Sequence, residues 1–123
     1  MIDYLGMVRQ FHEKYGHLIL NKPRIPMIAT VVLRRKLIEE EAKEFDHAAS
    51  IGDLIEIADA LGDLLVVIYG TALSFGIPIE AVFTEIHRSN MTKSTEKNEY
   101  GKTIKGENYE PPDIKKILEE AMK

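Results

Sequence analysis

Apolar residues recur along this chain at the spacing of helices, and nowhere alternate as a half-buried strand would require. Leu5, Val8, Phe11 and Tyr15 mark one side of a first predicted helix over about 3–15, with Asp3 placed to cap it and Gly16 to stop it. Pro23 and Pro26 then hold an extended link. A second helix follows over about 27–50 and a third over 53–75. They are separated only by Ile51-Gly52, with Asp53 as N-cap, so short a turn that the two must lie antiparallel. Gly76 closes the third helix, and Pro78 stands at the start of a fourth over 78–88 that carries Ala81, Val82 and Ile86. Residues 89–112, with Gly101, Gly106 and Pro111-Pro112, read as a long ordered or substrate-clasping loop before a short last helix over 113–122. The expectation is one all-α domain over 1–123, a four- to five-helix bundle.

Charge disturbs this pattern in an informative way. On the second helix, Glu40, Glu41 and Glu44 fall within one arc of roughly 100° that also holds Leu33, Leu37 and Ala48. Glu39, Lys43, Asp46, Lys36 and Arg35 occupy the far side. An isolated buried carboxylate normally takes up a proton, and three stay ionised only beside a cation or strong donors. No Lys or Arg lies inside the arc. On the third helix, Glu56, Asp59 and Asp63 are the only charges between Leu54 and Ser74, and they share one stripe of roughly 60°. Most of the rest of that helix is apolar and is expected to be buried. Such a stripe can also be the wet face of an amphipathic helix.

The antiparallel turn joins the two acidic patterns. Between Glu44 and Asp59 lie 14 residues, enough to end one helix, turn at Gly52 and return to about the same height. Several carboxylates around one opening suit Mg2+, which takes oxygen ligands and keeps sites for water and phosphate. Mn2+ would substitute.

Composition narrows the setting. At 123 residues and 45% hydrophobic content, one cored domain is expected rather than two. There is no cysteine, so no disulfide framework or thiolate site, which fits a reducing, cytoplasmic setting. The start of the chain is acidic and shows no signal peptide, and the longest uncharged run, 64–79, is broken by Gly70, Gly76 and Pro78. No membrane partner is expected. The net charge of −4 is unevenly spread. From Glu39 to Asp63 nine acids face Lys43 alone, whereas from Arg88 to Lys105 five cations face two acids. That layout suits a metal-complexed phosphate ester, and it lacks the uniformly basic face of a nucleic-acid binder. The basic stretch read alone is equally an ordinary solvated segment.

Glu40-Glu41-Ala42-Lys43-Glu44 is an EExxE sequence, followed by Asp59-Ala60-Leu61-Gly62-Asp63-Leu64-Leu65 and Tyr69-Gly70. Further on stand His87-Arg88-Ser89-Asn90-Met91-Thr92-Lys93 and Lys105-Gly106-Glu107-Asn108-Tyr109. Together they resemble the all-α nucleoside triphosphate pyrophosphohydrolases of the MazG-like group, relatives of phosphoribosyl-ATP pyrophosphohydrolase and of the all-α dUTPases and dCTPases. In that group EExxE is followed by ExxD, and here two registers compete. Glu56-Ile57-Ala58-Asp59 matches the letters at a gap slightly too short. Alignment on the following Leu-Leu and Tyr-Gly makes Asp63 the motif aspartate, puts Ala60 in the glutamate slot and leaves Asp59 to replace the missing acid.

The resemblance implies hydrolysis of a nucleoside triphosphate between its α and β phosphates. It implies Mg2+ held by Glu40, Glu41, Glu44, Asp59 and Asp63, with Glu56 left open as an outer or second-metal ligand. Glu40 and Glu44, one turn apart, suit joint ligation; Glu41, offset, is the candidate general base. Arg88, Asn90 and Lys93 are the candidate substrate contacts. The resemblance also implies a homodimer or homotetramer, which the unshared apolar residues around 64–73 would favour. His12 and His17, near the end of the first helix, have no metal-ligand spacing. A second class stays open: a non-enzymatic helical module that uses its acidic face to hold a basic partner.

Overall fold

The computed structural model describes residues 1–123 and shows five helices with no strand: α1 (Tyr4–Tyr15), α2 (Ile28–Ile51), α3 (Leu54–Phe75), α4 (Ile79–Asn90) and α5 (Ile114–Met122). The expected all-α bundle architecture is what forms. The local signals act as read. Asp3 Oδ1 accepts from the Gly6 amide at 2.8 Å and Asp53 Oδ1 from the Glu56 amide at 3.2 Å, satisfying two otherwise orphaned helix-start donors. The chain divides into two compact units, Met1–Ile77 and Pro78–Lys123.

In the first unit α2 packs along α3, and α1 lies against α3. Arg34 meets Val67 and Thr71 while Glu41 stands beside Asp63, so rising numbers on α2 oppose falling numbers on α3 and the pair is antiparallel. The link after α1 is strapped to the end of α3. Leu20 and Arg24 amides donate to the Leu73 and Phe75 carbonyls at 2.9 and 3.1 Å, and Ser74 Oγ donates to Leu18 O at 2.8 Å. Gly76 makes that strap fit: its φ is +67°, and any Cβ there would collide with the Lys22 carbonyl.

Two apolar expectations differ from the structure. On α1 the buried residues are Val8 and His12, whereas Phe11 and Tyr15 are half exposed, because the helix rests on α3 by a face one step round from its aromatic edge. On α3, Leu54, Ile55, Leu61 and Leu65 are exposed, and the buried positions are instead Ala60, Gly70, Ala72, Leu73 and Ser74, mostly small residues that meet α2, α1 and the link after α1. No single helix is long and apolar enough to cross a membrane.

In the second unit the stretch 91–113 is ordered by its own hydrogen bonds. The Asn98 amide donates to Lys102 O at 2.8 Å and the Ser94 amide to Ile104 O at 3.0 Å, closing a hairpin-like turn around an isolated Lys97–Thr103 bridge. Buried Ser89 donates from Oγ to Glu110 O at 2.7 Å, and the Glu110 amide donates to Thr92 Oγ1 at 2.8 Å. Glu85 is the clamp between α4 and α5. It takes Arg88 Nε at 2.8 Å and the Asp113 amide at 2.7 Å, and these donors, Arg88 first, hold its carboxyl down at about 2.

A depressed carboxyl stabilises the fold above its ordinary pKa and ceases to as pH falls through the folded value. Glu85→Gln should therefore speed amide exchange in α5 at pH 7 while leaving α2 unchanged. The difference from wild type should shrink as pH falls from about 4.5 toward 2. Equal α5 protection in both proteins at pH 7 would remove this clamp from the account.

Candidate functional site

Among the predicted acids the structure brings three together. Carboxylate oxygens of Glu41 and Glu44 on α2 and Asp63 on α3 all lie within 4.8 Å of one another. Glu41 and Glu44 are three residues apart, so one helix turn places both over α3. Glu41 Oε2 is enclosed and has no hydrogen-bond partner. Burial first, then the adjoining Glu44 carboxyl and the charges of Asp63 and Glu40, push the Glu41 carboxyl up to about 7. Asp63 is also raised, by burial first and then by Asp59 and Glu44.

The other named acids stand differently. Glu40 is exposed and outside the trio, although its charge is felt by Glu41. Asp59 and Glu56 are exposed, and with Lys43, Glu44, His47 and Ile51 they line a groove of about 600 Å3 at the turn end of α2 and α3. Lys43 is itself paired with Glu39 at 2.8 Å, on the surface. Arg88, Asn90 and Lys93 belong to the second unit. There Arg88 is committed to Glu85 and to Glu110 at 2.8 and 2.9 Å, so its guanidinium fixes the end of α4. Asn90 is exposed, Lys93 is half-buried, and neither side chain has a partner within the unit.

A second cavity, of about 380 Å3, opens on the other flank of the trio, with Glu41 and Asp63 in its wall. Arg34 and His12 line it as well, only 4% and 2% exposed. Arg34 donates from Nε to Thr71 Oγ1 at 3.1 Å and from Nη2 to Val67 O at 3.0 Å. It has no carboxylate partner. Sequence reasoning placed no cation near the acidic arc and missed this one. The available signal was spacing: Arg34 precedes Glu41 by seven residues, two turns along the same side of α2. Gly70 lies opposite, and only its lack of a side chain leaves room, since a Cβ would run into Arg34 Nη2 and stand 2.7 Å from His12 Nε2.

The donor set fits a hard divalent cation. Three carboxylates from two rigid helices converge, one with an orphaned oxygen, and the raised Glu41 and Asp63 mark a place short of positive charge. The profile of the phosphoribosyl-ATP pyrophosphohydrolase family matches residues 8–90, which contain every element of this site. The chain belongs to that family. Membership implies pyrophosphohydrolase chemistry in general terms. An uncharacterized protein of Acanthamoeba polyphaga mimivirus is 31% identical over 118 residues. That alignment takes in 91% of this chain and 46% of the relative, so the chain spans about half of the viral protein's length.

A carboxyl raised in the folded state adds stability below its ordinary pKa, and that stability is lost as pH rises through the folded value. The metal-free protein should accordingly melt at lower temperature at pH 8 than at pH 5.5, as Glu41 ionises. A shift of this size is worth at most about 3 kcal/mol. Solvent reaching the rim reduces it to roughly 1–2 kcal/mol, the amount by which Glu41→Gln should stabilise the metal-free chain at pH 8. Mg2+ should raise the melting temperature of wild type more at pH 8 than at pH 5.5. Melting that is flat across this range in EDTA would show that the three acids do not crowd one another.

Proposed function

We propose that this chain hydrolyses a nucleoside triphosphate to a nucleoside monophosphate and pyrophosphate, with Mg2+, or Mn2+ in its place, held by Glu41, Glu44 and Asp63. The observation that carries the reading is the enclosed, unpartnered Glu41 Oε2 inside a trio of acids. A binding module that met its partner through a solvated acidic face would have no use for a desolvated carboxylate with nothing to accept from. When bound, the cation would neutralise phosphate oxygens and make an attached water easier to deprotonate.

The chain's own residues supply the rest. Water adds across the α–β phosphoanhydride, its oxygen forming the new P–O bond as the bridging bond breaks, and pyrophosphate leaves. Glu41, whose enclosed Oε2 accepts from no donor in the fold, takes the water's proton. Glu44 and Asp63 stay as fixed negative charges. Asp59, whose charge raises Asp63, adds to the negative field there, and with Glu40 and Glu56 it remains an outer acid that a second cation could recruit. Lys93 and Asn90, whose side chains are uncommitted, are the substrate contacts we assign to the second unit, and Arg88 serves by fixing the helix end before them. The family's description names phosphoribosyl-ATP as substrate, which carries the same α–β bond.

We also assign self-association to this chain, as a homodimer or homotetramer, through the exposed apolar residues of α3, Leu61, Leu65 and Ile68 among them.

The test is product analysis with common and modified triphosphates in Mg2+. Monophosphate and pyrophosphate should appear in equal amounts, with no diphosphate. Glu41→Gln should lower kcat by roughly 100-fold or more, as loss of a general base does. Asp63→Asn should lower both activity and the stabilisation by Mg2+. Release of orthophosphate in place of pyrophosphate, or full activity in Glu41→Gln, would overturn the assignment.

A further inference from the structure

The acidic trio lies between two fixed points on α2 and α3, and the turn is only one of them. Gly52 and Asp53 join the helices beyond Glu44 and set their register from that end. A joint at one end leaves the far ends free to splay and α2 free to roll about its own axis. The second restraint has to sit on the other side of Glu41. Arg34 is in that place, and α2 buries only Arg34 and Ala48, so the arginine is the one large side chain this helix encloses. It crosses to α3 with Nε 3.1 Å from Thr71 Oγ1 and Nη2 3.0 Å from Val67 O, while Thr71 Oγ1 donates to the same Val67 O at 2.7 Å. Gly70 provides the seat: the atoms nearest its missing Cβ are Arg34 Nη2, His12 Nε2 and Arg34 Cζ. α1 adds the buried His12 to the same seat, its Nδ1 3.2 Å from Leu18 O.

Spacing ties this seat to the acids. Arg34 precedes Glu41 by seven residues on α2, and Gly70 follows Asp63 by seven on α3. Because the helices are antiparallel, the Arg34–Gly70 contact and the Glu41–Asp63 contact belong to one register, two turns or roughly 10 Å apart. Tolerance at the acids is small. Mg2+ holds its oxygens at about 2.1 Å in near-octahedral geometry, so two oxygens on one ion stand at most about 4.2 Å apart. The oxygens of the trio lie within 4.8 Å of one another. A further displacement of α2 by about 1 Å therefore puts Asp63 out of reach of a cation held by the two glutamates.

We infer that Arg34 is a positioning residue of the metal centre: seated at Gly70, it pins α2 to α3 two turns from the acids and so holds Glu41 and Glu44 within one cation's reach of Asp63. The role needs no contact with cation or substrate. Gly70 is its permissive partner, since a methyl group there would displace the guanidinium and release the pin.

The inference rests on the proposal that Glu41, Glu44 and Asp63 hold Mg2+, but its test does not require turnover. Mg2+ affinity of the metal-free full chain is measured by calorimetry, on protein whose helical content and melting are checked first. Gly70→Ala should weaken Mg2+ binding roughly 10-fold, as loss of an outer support of a metal site does, although it lies two turns from any ligand. Gly62→Ala, on the same helix and next to Asp63 but with nothing within 4 Å of the new methyl, should leave the affinity unchanged. Arg34→Ala should match Gly70→Ala, and the double variant should lose no more than either single, because both remove one pin. If either does not fold, Thr71→Val, which takes the acceptor from Arg34 Nε at nearly constant bulk, should weaken Mg2+ roughly 3-fold. A side chain that only supports the fold would lower the melting temperature and leave the affinity of the folded chain alone. Unchanged Mg2+ affinity in the folded variants therefore overturns the inference. A wild type that binds no Mg2+ overturns the metal centre and this inference with it. Weakened Mg2+ in the variants together with no pyrophosphate from any triphosphate overturns the proposed reaction instead and leaves the role of Arg34 standing.

Discussion

Three carboxylates cannot stay ionised within 4.8 Å of one another at the edge of a helix pair without a counter-charge. Two unit charges about 4 Å apart repel by roughly 4 kcal/mol at an effective dielectric near 20, and Glu41 faces two such neighbours. That crowding depends on helix register. Gly52 and Asp53 turn the chain in two residues, so α2 and α3 have little freedom to slide, and Glu41 is held at the level of Asp63. A longer or looser turn would let the acids relax away from each other. The structure keeps them together, and the strain is carried as a raised Glu41 carboxyl rather than as a broken contact.

The same helix pair buries a positive charge without using it to cancel the negative ones. Arg34 lies two turns before Glu41, roughly 10 Å along α2. Its donors go to a carbonyl and a hydroxyl on α3, and Thr71 in turn donates to Val67 O at 2.7 Å. Had the guanidinium paired with Glu41, one of the three negative charges would have been cancelled internally and the pull on a cation weakened. Instead the two signs are kept apart on one side of α2, with apolar cavity between them. Burial lowers the His12 pKa, Arg34 adding to the effect, which keeps the imidazole neutral beside the cation.

Much of this fold could be read from residue order. Five helices, their caps at Asp3, Asp53 and Asp113 and the sharp turn at Gly52 follow from local chemistry that tertiary contacts do not override. The acidic pattern on α2 and α3 was legible for the same reason. The contact line between the two helices was not. Hydropathy drew the inner face of α2 through Leu33 and Leu37, which places Glu40, Glu41 and Glu44 on nearly equal terms. The line actually followed runs Arg34, Glu41, Ala48, each seven residues from the next, and two of its three members are charged. A face built from an arginine, a glutamate and an alanine has no hydrophobic signal to detect. α1 shows the same blindness, burying His12 in preference to Phe11 and Tyr15. The stretch after α4 was legible as an ordered or substrate-clasping loop, but not what orders it, since Ser89 and Thr92 bond to distant backbone, which no periodicity records.

Small residues explain why such polar side chains can be interior at all. Ala60, Gly70 and Ser74 present little bulk on α3, so α2 and α1 can approach and the long side chains of Arg34 and His12 occupy the space a larger residue would fill. Apolar residues displaced from that face, Leu61, Leu65 and Ile68, are then left outward on α3. Site and surface are thus two consequences of one choice. A helix that gives its inner stripe to small and charged residues must carry its hydrophobic bulk elsewhere.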